Sequence, residues 1–330
     1  LEAHGVTDRT AARYRHRDVF SLAEELYVRV PRAEDAAALH PAGSGAPGEP
    51  RRVRVAGRAL SHLLPGVLCA ATVAGLVHVP QQPPYARPAV AVLGALAVLA
   101  AVGLSLRGVP RTRTAVLWGC WLLGYALYGD WLLTELLAPE ARAGLPLPAL
   151  SCLCVPLALA FGVAPAAWSA DLFSARARRR LAGSRSLGDF ASGVRPLLLL
   201  SVALFGAALV GIQTVAHLVV RGAAPPHATQ ATTVSLGVLL FLALLLGRHG
   251  FPRAAATGLA SACLLIAVVL GAVLAARLPG GEAVGRPVRD AVEVYGPTAV
   301  PGLACALAAL ALLTHALRAL TGASAHQSAA

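Results

Sequence analysis

Residues Thr114–Leu137 read TAVLWGCWLLGYALYGDWLLTELL. The stretch exceeds the roughly 20 apolar residues that carry a helix across a hydrocarbon core. One acid, Asp130, sits inside it, and Glu135 lies near its end. Ionisable groups are costly in lipid, so one that persists there is a functional candidate. Reading this stretch as a membrane span decides the fold class, and the composition agrees: 57% of the 330 residues are hydrophobic and 13% charged. Soluble domains carry about 25% charged residues.

Seven more windows have similar character: Ala59–His78, Pro88–Leu106, Leu147–Trp168, Pro196–Val220, Ala231–Gly247, Ala254–Ala276 and Thr298–Leu317. Backbone groups must be satisfied internally in lipid, which forces these windows into helices, and no alternating barrel pattern is visible. The expected fold is all-α, a polytopic transmembrane helical bundle of about eight spans with a short N-terminal cytoplasmic helical head. The expected divisions are the head at 1–30, a flexible linker and basic juxtamembrane segment at 31–58, the transmembrane domain at 59–318 and a cytoplasmic tail at 319–330.

The net charge of +12 comes from 28 basic residues, all of them Arg. Lys, Asn and Met are absent and Ile occurs only at Ile212 and Ile266, a codon bias of a very GC-rich genome. Cytoplasmic loops carry the excess of basic residues. If both termini are cytoplasmic, all arginines fall inside except Arg87, Arg142, Arg221, Arg277, Arg286 and Arg289. That alternation requires an even number of spans and predicts a multi-pass protein of the plasma membrane. Residues 1–50 are polar and show no signal peptide, so the first span is expected to serve as its own insertion signal. Residue 1 is Leu, which leaves open an alternative start codon or a fragment.

Within the head, GVTDRTAARY (residues 5–14) resembles the start of a bacterial DNA-recognition helix of the TetR type. The match stops after Thr10, where Ala11 and Ala12 replace the expected aromatic residues, and about 30 residues provide little core for a DNA reader. The sequence therefore argues against DNA and for a head that docks a cytoplasmic protein or the membrane surface. The segments LEAHGVTDRTAARYRHRDVFSLAEELY (residues 1–27) and YALYGDWLL (residues 125–133) also resemble multi-pass integral membrane proteins of filamentous, Streptomyces-type actinobacteria. The resemblance implies a membrane location and about eight helices, with an association with envelope-polysaccharide assembly but no settled activity.

Polar residues inside the spans mark the candidate site. On Thr114–Leu137, Trp118, Trp121, Tyr125 and Tyr128 form one stripe, expected to meet lipid or line a groove. Gly119, Leu123, Ala126 and Asp130 form another, expected to face the interior. Gln213, Thr214 and His217 reach a similar depth in the fifth span, and Gln213 and His217 are one helical turn apart. An outer-half polar cavity holding Asp130, Gln213, Thr214 and His217, with Glu135 near the surface, is the sharpest expectation. Against it, Asp130 lies within reach of the interface and could simply lock helix packing. At the other face, Arg176, Arg178, Arg179 and Arg180, in an expected loop between spans four and five, suit anionic lipid or phosphate. Enforcing topology is their alternative role.

The six cysteines, Cys69, Cys120, Cys152, Cys154, Cys263 and Cys305, all fall in apolar stretches, where they are expected to act as buried small hydrophobes. No sequence motif calls for a metal or cofactor. The loop containing Glu282, Arg286, Arg289, Asp290 and Glu293 is expected to be a solvated charged patch. The leading functional expectation is a non-enzymatic membrane protein that assists transport or assembly of an envelope lipid or saccharide, with a lipid-linked saccharide as cargo. The alternatives are a scaffold whose head docks a cytoplasmic partner, and a membrane-embedded transferase on lipid-linked substrates.

Overall fold

Within its described residues each apolar window of the sequence is largely helical in the structure, a computed structural model that describes residues 60–78, 86–107, 109, 112–137, 150–183, 187–278 and 282–322. The described helices are α1 (Leu64–His78), α2 (Ala86–Ser105), α3 (Arg113–Leu137), α4 (Leu150–Gly183), α5 (Leu187–Arg221), α6 (His227–Arg248), α7 (Pro252–Ala275), α8 (Glu282–Tyr295) and α9 (Ala299–Gly322). Two units are distinguished, Leu1–Val55 and Ala56–Ala330. The first, and with it the expected head, lies outside the described residues, as do residues 323–330 of the expected tail.

Six helices, α2, α4, α5, α6, α7 and α9, are long and apolar enough to cross a membrane. The chain is thus a helical, multi-pass membrane protein by length and composition. Two expected spans stand apart from these six. α1 has only 15 residues. α3 has 25, but its Trp, Tyr and Gly residues and Asp130 dilute its apolar character.

Two expected loops are corrected. α4 continues through the basic segment to Gly183, because Ala, Arg and Leu are good helix formers and no breaker intervenes before 184. The arginines at 176, 178, 179 and 180 therefore stand on a helical extension. Pro156 and Pro165 lie inside α4 without ending it, as proline is tolerated in membrane helices where neighbours satisfy the freed carbonyls. The second corrected loop is α8: its charges, Glu282, Arg286, Arg289, Asp290 and Glu293, gather on one side of a helix and its Ala, Val and Tyr residues on the other.

Contacts at one end of the bundle fix the direction of several helices. Ser105 Oγ donates to the Ser61 carbonyl (2.9 Å), tying the end of α2 to the turn before α1. Arg248, at the end of α6, bonds Asp171 of α4 at 2.6 Å. Exposed ion pairs of this kind add little stability; here the pair marks the end of the bundle where most arginines lie. The opposite, arginine-poor end carries the α3 and α7 C-termini and the α6 and α9 N-termini.

α6 is the central helix. Leu239, Leu242, Leu245 and Leu246 are fully buried, and Phe241 stacks on Phe205 of α5 with ring centroids 4.8 Å apart. Between α4 and α5, Ala158, Ala164, Ala167 and Ala170 are also fully buried, small residues that let helix backbones approach. Outward, by contrast, α2 exposes Val92, Leu93, Leu96 and Leu99, and α9 exposes Leu303, Leu307 and Leu310. In water such a surface would be a large apolar patch; in lipid it is the expected exterior.

Close packing of α7 on α9 depends on Gly258, where an added Cβ would overlap the buried Leu312 side chain, whereas Gly271 of the same helix faces open space. Gly258→Ala should destabilise the detergent-solubilised protein by about 1–3 kcal/mol. Gly271→Ala should leave it unchanged or stabilise it by up to about 1 kcal/mol. Thermal denaturation of the two variants checks this, and equal effects would contradict the assigned α7–α9 contact.

Candidate functional site

The buried face of α3 runs through Leu122, Tyr125, Gly129 and Leu133. Gly129 is what admits Tyr125, since a Cβ at 129 would collide with the tyrosine ring. Tyr125 is therefore 7% exposed, while Trp118, Trp121 and Tyr128 are 37–40% exposed. The expected four-residue aromatic stripe is thus split: three rings face outward and Tyr125 turns inward, stacked on Trp121 at 5.6 Å.

α5 ends at Gly222, whose φ of 68° is the left-handed conformation that favours glycine at a helix end. Its N–H donates to the Leu218 carbonyl at 2.9 Å. Four residues later Pro226 precedes α6, so α5 and α6 form a tight hairpin. This geometry sets three polar side chains of α5 one helical turn apart. Arg221 is exposed, His217 is 3% exposed and Gln213 is fully buried.

Between α3, α5, α6 and α9 lies a cleft of about 180 Å³ at the arginine-poor end. Its polar lining comprises Tyr125 and Asp130 from α3, His217 and Arg221 from α5, Thr229, Thr232 and Thr233 from α6, and Thr298 at the entry to α9. Hydrogen bonds pin its floor and one wall. Gln213 Nε2 donates to Thr233 Oγ1 (2.9 Å) and to the Thr229 carbonyl (3.3 Å). Thr232 Oγ1 donates to the Thr298 carbonyl at 2.8 Å, joining α6 to the start of α9.

Several buried polar atoms here have no protein partner: the Tyr125 hydroxyl, His217 Nε2 and Gln213 Oε1. Orphaned groups of this kind are uncommon in native interiors and call for an explanation. Exchanging the Gln213 oxygen and nitrogen would not remove the deficit, because the amide nitrogen would then occupy the unpartnered position. Tyr125 and His217 both line the cleft, so a polar ligand or water there could pair with them.

Of the expected site residues, Asp130 and His217 line this one cleft, and Gln213 lies beneath it through Thr233. Thr214 is beside it but engaged: its hydroxyl donates to the Val210 carbonyl (2.8 Å) and accepts from Gln230 (3.3 Å). Glu135 is not part of the lining; its backbone carbonyl accepts from Arg277 at 3.1 Å. Arg176, Arg178 and Arg179 are exposed at the opposite end; the side chain of Arg180 lies outside the described residues. The structure adds Tyr125, Arg221 and Thr229. Arg221 had a legible signal, since it follows His217 by one helical turn, but it reads equally well as a charge ending a span.

Cys69, Cys154, Cys263 and Cys305 are buried, as expected, whereas Cys120 is exposed on α3. Among the described residues, no group of three or more His, Cys, Asp or Glu could hold a metal ion. What the cleft offers is one carboxylate, one guanidinium, an imidazole and several hydroxyls, a set that can hydrogen-bond a polyhydroxylated or charged head group. No family model, curated protein or solved structure matches the chain.

The bond between Gln213 and Thr233 should register as coupling between α5 and α6. A double-mutant cycle of Gln213→Leu and Thr233→Val, read by unfolding in mixed micelles, should give about 0.6 kcal/mol of interaction energy. The same cycle with Thr214→Val should give none. Equal coupling in the two cycles would contradict the assigned floor of the cleft.

Proposed function

We propose that this membrane protein assists the transport or assembly of an envelope lipid or saccharide, holding the cargo's polar head group in the α3–α5–α6–α9 cleft. The observation that carries the reading is the convergence of Asp130, His217, Arg221 and Tyr125 on one cleft, with buried hydrogen-bonding atoms left unpaired. Burying unpaired polar groups is destabilising, and a site that binds a polar ligand recovers part of that cost when filled. A lipid-linked saccharide suits such a lining: its hydroxyls match the carboxylate, imidazole and threonines, and its phosphate matches Arg221 at the mouth.

In this reading both termini are cytoplasmic and the cleft opens toward the outside, as the arginine distribution requires. Arg176, Arg178 and Arg179, with Arg180 beside them, then face the cytoplasm, where they engage anionic lipid or cargo phosphate. Residues 1–30 are assigned a cytoplasmic protein partner. The scaffold alternative leaves the unpaired groups of the cleft without a task. A transferase is disfavoured by the position of Glu135, which leaves Asp130 as the one carboxylate lining the cleft among the described residues.

The test is the pool of lipid-linked saccharides in cells lacking the gene, complemented with wild type or Asp130→Asn. The variant removes a charge while keeping the side chain's shape. Accumulation of the pool that wild type reverses and Asp130→Asn does not is the expected result. An unchanged pool in the deletion strain would overturn the proposal and favour the scaffold.

A further inference from the structure

A second cleft, of about 260 Å³, lies at the same end of the bundle, framed by α3, α7 and α8. Its lining is Leu136, Leu137, Val273, Ala276, Gly285 and two arginines, Arg277 and Arg289. Among the described residues no carboxylate contributes to it. This cleft shares no lining residue with the proposed cargo site, and its reading does not depend on that site.

The two cations are brought together by backbone geometry. Gly285 of α8 packs on the last turn of α7, where an added Cβ would overlap the Ala276 methyl and lie 3.7 Å from the Ala272 carbonyl. That close approach places Arg289, one turn farther along α8, beside Arg277. The Arg277 guanidinium is held in place, with Nε donating to the Leu136 carbonyl (3.1 Å) and Nη2 to the Glu135 and Leu136 carbonyls. It thereby caps the C-terminus of α3, whose dipole favours a cation. Among the described residues neither arginine forms an ion pair, although Asp290 and Glu293 share the charged side of α8 with Arg289.

Two guanidinium groups in one cleft repel each other, and an anion between them relieves that repulsion through charge-assisted hydrogen bonds. The other half of the lining is apolar. It continues into the exposed Leu274 and Leu278 at the end of α7 and the exposed Val284, Val294 and Tyr295 on α8. A helix with one charged face and one exposed apolar face, leaving the end of a membrane span, has the character of an element lying in the head-group plane. Cation and hydrocarbon wall thus meet where a phospholipid's phosphate meets its acyl chains.

We propose that the Arg277–Arg289 cleft binds the phosphate of an anionic phospholipid from the surrounding bilayer, with α8 resting on the membrane surface as its outer wall. Arg277 is the preorganised donor and also caps α3, so its loss affects folding. Arg289 has no structural bond to lose. Arg286, on the charged side of the same helix, does not line the cleft.

The experiment uses the full chain purified in detergent and stripped of lipid, titrated with short-chain phosphatidylglycerol and followed by native mass spectrometry. Phosphatidylcholine and inorganic phosphate serve as comparison ligands. Phosphatidylglycerol should bind more tightly than phosphatidylcholine, and Arg289→Gln should weaken it about ten-fold. Arg286→Gln should leave it unchanged. Equal binding of the two lipids, or equal effects of the two substitutions, would overturn the proposal. Displacement of the lipid by millimolar inorganic phosphate would also overturn the lipid assignment, since the cleft would then hold phosphate without needing the acyl chains.

Discussion

A hydrocarbon solvent provides no hydrogen bonds, and this single constraint organises the structure. It makes helices of the apolar windows, because only a helix satisfies its own backbone in lipid. It also dictates where polar side chains stand. Gln213, Thr232, Thr233 and His217 are turned toward neighbouring helices rather than lipid, while Leu and Val cover the outer surface of α2 and α9. The bonds from Gln213 to Thr233 and from Thr232 to the Thr298 carbonyl then tie α5 and α9 to the central α6. Where that internal pairing is incomplete, at Tyr125 and His217, a cleft opens.

The helices were legible in the sequence because membrane thickness sets a length that apolar runs must meet. Their ends were less so. Nothing in hydrophobicity alone marks where α4 stops, since its arginine segment is as helix-prone as the span before it. α8 was hidden for a different reason. Its charges and apolar residues alternate at helical spacing within a short segment of mixed character, which read as a solvated loop. Its amphipathic pattern was present but was outweighed by the expectation that a short connection between spans is irregular.

Legibility of the site followed chemistry rather than pattern. Asp130 and His217 stood out because ionisable groups are rare inside spans, and the helical spacing of Gln213 and His217 placed them on one face. Glu135 lies outside the lining through rotation. Five residues beyond Asp130 on a helix is a turn of about 140° from its direction, enough to carry Glu135 out of the cleft. Tyr125 was left between two readings, because an aromatic residue reads the same whether it faces lipid or protein. Only the missing side chain at Gly129 shows which way the ring goes. Arg221 was counted as a topological charge, yet it also lines the cleft, where the proposed cargo phosphate would meet it. One arginine can serve both purposes, and no count of charges separates them.

Charge is unevenly divided between the two ends of the bundle. Arg107, Arg113, Arg176, Arg178, Arg179, Arg195, Arg248, Arg253 and Arg318 gather at one end, and both clefts open at the other. With the arginine-rich end placed in the cytoplasm, the polar cleft faces outward and admits water. The most direct test of this orientation is chemical labelling of single cysteines, in an otherwise cysteine-free chain, with a membrane-impermeant maleimide on intact cells. Thr229→Cys, in the wall of the cleft, should label from outside, and Arg179→Cys, on the α4 extension, only after permeabilisation. Labelling of Arg179→Cys in intact cells, or of Thr229→Cys only after permeabilisation, would contradict the account.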